Sequence, residues 1–160
     1  MYISPAQIIS LAFKKNVRIS VAESCTGGLL TASLTEIPGS SQVIDRGYVT
    51  YSNLSKIDLL NVQESTINQH GAVSAETAKE MALGALEKAN SQLSISITGV
   101  AGPTYSEQKE VGLVFFGWAG EKIQNDAKHV NFGNLGRQNI RLKSVGYATE
   151  LIFQFLKVWD

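Results

Sequence analysis

Ser24 stands in the run Val21-Ala22-Glu23-Ser24-Cys25-Thr26-Gly27-Gly28, where a β-rich stretch gives way to two glycines and then to the helix-forming Leu29-Leu30-Thr31-Ala32-Ser33-Leu34. A hydroxyl at the end of a strand is held on rigid backbone. The unpaired N–H groups of the following helical turn point at whatever binds beside it. A second constellation, Gly47-Tyr48-Val49-Thr50-Tyr51-Ser52-Asn53-Leu54-Ser55-Lys56, also ends a β-branched, aromatic run and enters a polar helix start. Two strand ends on one edge of a parallel sheet would bring Ser24, Tyr51 and Lys56 together. Each has an ordinary alternative: a capping serine, a core tyrosine with its hydroxyl satisfied, a solvated helix lysine.

The elements around these residues can be read in order. Ser4-Pro5 opens a helix to about residue 15, with Ile8, Leu11 and Ala12 as its apolar stripe. Residues 17–21 alternate as a strand that leads to Ser24, and a helix follows over 27–35. Pro38-Gly39-Ser40-Ser41 is a turn, 43–50 a second strand and 55–60 a short helix. Ser74 caps the clearest helix, in which Ala78, Met81, Ala82, Ala85, Leu86 and Ala89 recur at spacings of three and four. Leu93-Ser94-Ile95-Ser96-Ile97 reads as a strand whose serines are small enough to lie under a closely packed helix. It ends in Thr98-Gly99-Val100-Ala101-Gly102-Pro103, a third glycine-rich strand exit. Residues 111–118 and 123–132 form a strand pair around Gly120, antiparallel because the gap is short. The last helix, about 137–158, is expected to bury Val145, Ala148, Ile152, Phe155 and Trp159.

Strands separated by helices predict a three-layer α/β/α sandwich around a mostly parallel, mixed sheet. Ligands collect outside the carboxyl ends of such strands, so Ser24, Tyr51 and the 99–102 loop are expected to share one cleft. At 160 residues the chain reads as one domain. Cys25 is the sole cysteine, so no internal disulfide forms, and no apolar run is long enough to cross a bilayer. A cytoplasmic protein without membrane association is expected. Lys plus Arg number 14, as do Asp plus Glu, which argues against nucleic acid as a partner. His70 and His129 show no metal-ligand spacing, and no metal is expected.

Five segments together carry a resemblance: 22–28, Pro38-Gly39-Ser40-Ser41, 46–53 with Lys56, His70-Gly71-Ala72-Val73-Ser74, and 98–103. In order and spacing they resemble the CinA C-terminal domain family, whose enzymes are nicotinamide-nucleotide amidohydrolases, or NMN deamidases. The resemblance spans nearly the whole chain. It implies hydrolysis of the carboxamide of nicotinamide mononucleotide (NMN) to nicotinate mononucleotide and ammonia, without metal or organic cofactor. The family's catalytic serine falls on Ser24, its lysine on Lys56 and its assisting tyrosine on Tyr51. A stand-alone domain and a homodimer are what the resemblance implies for organisation. Two departures stand out. The family's glycine-rich, acidic segment ending in Lys-Pro-Val-Gly is here Thr104-Tyr105-Ser106-Glu107-Gln108-Lys109-Glu110-Val111-Gly112, one residue shorter and with Glu110 for the proline. The usual Gly-Asp-Arg near the C-terminus is Leu135-Gly136-Arg137, while Arg137 and Arg141 remain.

The chemistry these residues imply is nucleophilic. Neutral Lys56 takes the Ser24 proton, directly or through Tyr51, as Ser24 attacks the carboxamide carbon. Backbone N–H groups at Thr26, Gly27 and Gly28 are expected to hold the oxyanion. Lysine titrates near ~10.4, so burial or neighbouring positive charge must depress it. Arg46 is expected either to supply that charge or to grip the substrate phosphate, and Gly99, Ala101 and Gly102 to contact phosphate or ribose. Glu23 either orients a site lysine or pairs with an arginine. Cys25 reads as a buried free cysteine. The rival readings are a non-catalytic nucleotide-binding module using the same cleft, and an amidase for a related amide.

Overall fold

The computed structural model describes residues 3–160. Five strands form one sheet in the order β2-β1-β3-β4-β5. They are β1 (Ile19–Glu23), β2 (Ile44–Val49), β3 (Leu93–Gly99), β4 (Leu113–Gly120) and β5 (Ile123–Asn131). β1 pairs in parallel with β2 and β3, whereas β4 runs antiparallel to both β3 and β5. The mixed sheet is therefore parallel where Ser24 and Tyr51 leave it and closes with a hairpin on the far side.

Helices cover both faces. α1 (Pro5–Lys15), α2 (Leu29–Thr35) and α6 (Arg137–Lys157) pack on one side, and α3 (Asn53–Leu60), α4 (Glu64–His70) and α5 (Ala75–Glu87) on the other. The larger core lies under the first set. There Ile19 and Val21 of β1 and Leu93, Ile95 and Ile97 of β3 meet Ile8, Leu30, Ile140, Ile152 and Trp159. The sheet's other face is lined by small residues. Ser20, Ser94 and Ser96 donate their hydroxyls to the carbonyls of Ala85, Ala82 and Ala78 on α5, at 3.3, 2.5 and 2.5 Å. Each buried hydroxyl is thereby satisfied at no cost in spacing, and α5 settles close onto the strands. Gly117 of β4 completes that contact, since a Cβ there would overlap the Ala78 carbonyl.

Several expectations shift. β1 begins two residues later than the alternation implied and runs to Glu23, directly against Ser24. α2 begins at Leu29 because Gly27 and Gly28 take positive φ and form the turn before it. β4 is displaced two residues toward the C-terminus, ending at Gly120, whereas β5 starts at Ile123 as expected and ends one residue earlier, at Asn131. In α6, Val145 and Phe155 pack against the core from partly buried positions, while Leu151 and Leu156 are fully inside. α4 is additional to the expected elements. Only Ile67 of its residues is buried, so it carries no apolar stripe to betray it. No helix among the described residues is long and apolar enough to cross a membrane.

The approach of α5 to β4 gives a test. Gly117→Ala is expected to destabilise the fold by about 2 kcal/mol, because the backbone carbonyl it meets cannot move aside cheaply. A urea midpoint equal to wild type would contradict so close a contact.

Candidate active site

Hydrogen bonding fixes both strand exits before any substrate is considered. The Ser24 N–H donates to Ile97 O at 2.9 Å, tying the end of β1 to β3. The Thr50 N–H donates to Glu23 O at 2.9 Å, carrying the β1–β2 ladder one step past the last strand residue. The chain then turns at Ser52, whose hydroxyl accepts from Ser55 N and caps α3. Lys56 sits in the first turns of that helix and points back into the protein.

Lys56 is 1 % exposed and is among the largest fully buried side chains of the described residues. Its Nζ lies 3.0 Å from Ser24 Oγ, 2.7 Å from Thr50 O and 3.3 Å from Tyr51 O, donating to each. Two of these acceptors are carbonyls, which can only accept. A neutral amine keeps two N–H bonds for Thr50 and Tyr51 and turns its lone pair toward the Ser24 hydroxyl. Burial pushes the Lys56 amine down from 10.5 to about 8, against the opposing pull of Cys25 and Glu107. The arrangement is a serine hydroxyl beside a buried lysine able to lose its proton near neutral pH.

The surrounding pocket, ≈ 230 Å³, is lined on the sheet side by Ser24, Cys25, Lys56, Thr98 and the 99–102 loop. Its outer wall comes from Ala72, Val73, Thr104, Ser106 and Glu107, and its mouth from Tyr51, Asn53 and Arg137. Gly99, Ala101 and Gly102 thus stand where the strand-exit argument put them.

Other residues serve differently from the sequence expectation. Tyr51 gives Lys56 its carbonyl, but its side chain is 61 % exposed and its hydroxyl accepts from Arg137 Nη2 at 3.0 Å. The Tyr51 hydroxyl is on the rim, not between Ser24 and Lys56. Arg46 is outside this lining. It pairs with Asp45 at 2.6 Å on the edge strand, beside Arg18. Gly27 N donates to Ser24 O and Gly28 N to Glu23 Oε2, so these two amides are already committed. Thr26 is fully buried, and its carbonyl accepts from Arg141 Nη2 at 3.0 Å.

Glu23 resolves into neither of its expected roles. Fully buried, it accepts from Gly28 N, Leu30 N, Thr31 N and Thr31 Oγ1, capping α2 from the preceding strand. A carboxylate at the positive end of a helix is well placed energetically. Cys25 lines the pocket, but burial raises its thiol to about 11, which keeps it protonated and poorly nucleophilic at neutral pH. Arg137 is the site residue that strand-exit reasoning passed over. The signal for it was present, an arginine opening the last helix. Among the described residues no group of three or more His, Cys, Asp or Glu is placed to hold a metal ion.

With this geometry in hand, similarity to known proteins can be placed. The family model of the CinA C-terminal domain matches residues 3–156. A nicotinamide-nucleotide amidohydrolase PncC of Enterobacter agglomerans is 52 % identical over 141 residues, covering 87 % of this chain and 85 % of that protein. A protein of Caldanaerobacter subterraneus subsp. tengcongensis named as competence-damage inducible is 44 % identical over 151 residues, 94 % of this chain. The chain spans only 36 % of that relative's length, and 28 % of a similarly named one from Caldicellulosiruptor bescii. The crystal structure of the competence/damage inducible protein CihA from Agrobacterium tumefaciens superposes with a TM-score of 0.85 at 40 % identity, covering 98 % of this chain and 99 % of that one.

The depressed amine also fixes a pH dependence of stability. Lys56 has its ordinary value in the unfolded chain and a lower one in the fold, so between about 8 and 10.5 the unfolded state binds more protons. Stability from this group therefore rises with pH across that window and is lowest below it. Urea unfolding from about pH 7 to about pH 10 is expected to show the wild type gaining stability relative to Lys56→Met. A constant difference would mean that Lys56 titrates normally.

Proposed function

The chain belongs to the CinA C-terminal domain family, and we propose that it is a nicotinamide-nucleotide amidohydrolase, releasing ammonia from the carboxamide of NMN. The observation that carries this is the buried Lys56 amine 3.0 Å from Ser24 Oγ, with two carbonyls occupying its other N–H bonds. A serine so placed beside a lysine has little to do structurally that alanine and methionine would not do as well. The similarity to an amidohydrolase over most of both chains supports the substrate class.

The reaction runs in two halves. Ser24 Oγ attacks the carboxamide carbon while its proton passes to neutral Lys56, giving a tetrahedral oxyanion and a lysine ammonium. The oxyanion is served by main chain beside Ser24, with the pocket-lining backbone at Cys25, Gly99, Ala101 and Gly102 as the source of donors, since Gly27 N and Gly28 N are occupied. Lys56 returns its proton to the departing nitrogen, the C–N bond breaks and ammonia leaves a nicotinoyl ester on Ser24. Water then attacks the ester, Lys56 accepts its proton, and the C–O bond to Ser24 breaks as the hydroxyl is restored. The sum is amide plus water to carboxylate plus ammonium, the acid's proton passing to the released ammonia.

At the mouth, Arg137 donates to Gly102 O at 2.7 Å and to the Tyr51 hydroxyl. It is the cation of this pocket not engaged with the nucleophile, and a guanidinium is suited to a phosphate. Arg137 with Tyr51 is therefore assigned the 5′-phosphate, in place of Arg46.

The direct test is ammonia release from NMN. Wild type is expected to turn over with kcat/KM rising through about 8, as Lys56 loses its proton. Ser24→Ala and Lys56→Met are expected to lose at least ~10³-fold in kcat. No ammonia above the Ser24→Ala background would leave the non-catalytic binding module as the reading. Arg137→Ala is expected to raise KM about tenfold with a smaller change in kcat, and an unaffected KM would remove it from the phosphate.

A further inference from the structure

The 104–110 loop is built at a conformational cost. Ser106 N donates to Lys109 O at 3.3 Å and Lys109 N to Ser106 O at 2.8 Å, closing a two-residue turn. Its central residues, Glu107 and Gln108, take φ of 54° and 60°. Glycine or asparagine usually occupies such positions, because the Cβ of other residues crowds the backbone there. Strain of this kind persists only where surrounding contacts hold it, and here they converge on one carboxylate.

Glu107 Oε1 accepts from Ala72 N at 2.9 Å and Oε2 from Val73 N at 3.1 Å. Lys109 Nζ donates to His70 O and Val73 O and lies 3.6 Å from Glu107 Oε2. Gly71 is required beneath this clamp, because a Cβ on it would overlap Glu107 Oε2. The clamped segment in turn reaches the reacting end of the pocket. Thr98 Oγ1 donates to Ala72 O at 2.8 Å, and Thr98 follows Ile97, whose carbonyl holds Ser24 N. Glu107 is thus fixed on the outer wall, near enough for its charge to act on Lys56 and opposite in charge to Arg137 at the mouth. It is the sole acidic side chain lining this pocket among the described residues.

We propose that Glu107 is a specificity-determining residue, selecting a positively charged aromatic carboxamide by placing a fixed negative charge beside the ring. The proposal rests on the amidohydrolase reading only for the identity of the substrate. NMN carries a pyridinium cation and a phosphate anion, and Glu107 and Arg137 supply the two complementary charges in the same order. With Lys56 neutral in its reactive form, Glu107 supplies the negative charge on this pocket's lining, partly offset by Lys109 at 3.6 Å. The product keeps the pyridinium ring but gains a carboxylate, so the same wall repels the newly formed anion and weakens product binding relative to NMN.

Binding of 1-methylnicotinamide, a cation, and nicotinamide, its neutral parent, measured by calorimetry on the whole chain tests this without turnover. Wild type is expected to prefer the cation by about tenfold. Glu107→Gln is expected to erase most of that ratio. Lys109→Met, which removes the tempering charge, is expected to keep or increase it, whereas a purely structural clamp would make both variants lose both ligands alike. Equal wild-type affinities, or a ratio that falls together in the two variants, would overturn the assignment. The wild-type ratio needs no variant to fold. Ammonia release from NMN is scored separately: preference without turnover sinks the hydrolase reading alone, and turnover without preference sinks this one alone.

Discussion

The structure around the pocket is organised by the cost of burying one amine. An ammonium sealed from water is expensive unless it is paired, and no carboxylate pairs with Lys56 in the hydrogen bonds it makes. The protein offers two carbonyls and a hydroxyl instead, which ease the charged form without fixing it. Burial then wins, and the amine falls to about 8. A carboxylate in place of either carbonyl would have secured the lysine as a cation and ended its use as a base.

That arrangement depends on two strand ends holding register. Ser24 is tied to β3 and Thr50 to β1 by main-chain bonds beyond the last strand residues, so nucleophile and carbonyls move only if the sheet edge moves. Glu23 strengthens the same corner from below. By taking up the first N–H groups of α2, including that of Gly28, it locks the turn after Ser24. It also leaves the oxyanion of the proposed reaction to other main-chain groups. A helix start that looked like an anion site is already filled by the protein's own anion.

The sequence made the strand exits and the fold class legible because their signals are local. β-branched stretches over 17–21 and 43–50, glycines at the turns, and the three-and-four spacing in α5 are short-range consequences of backbone sterics and burial, and they found the observed strands to within two residues. Ser94 and Ser96 were readable as small residues beneath a helix, and their hydroxyls do bond α5 carbonyls. What escaped was decided by long-range geometry. Whether the Tyr51 side chain turns inward depends on Arg137, 86 residues away, offering it a partner at the rim. Arg46 alternates outward on an edge strand and finds Asp45, a neighbour in sequence that pattern reading does not weigh against a distant substrate. α4 has too little buried apolar surface to announce itself.

The central claim is that Lys56 is an uncharged amine over much of the neutral and mildly alkaline range. The most direct measurement is an NMR titration of the Lys56 side chain in the folded protein, assigned by comparison with Lys56→Met. The account predicts a midpoint of about 8, well below the other lysines. A midpoint at the ordinary lysine value would mean that the ammonium persists beside Ser24, and would contradict it.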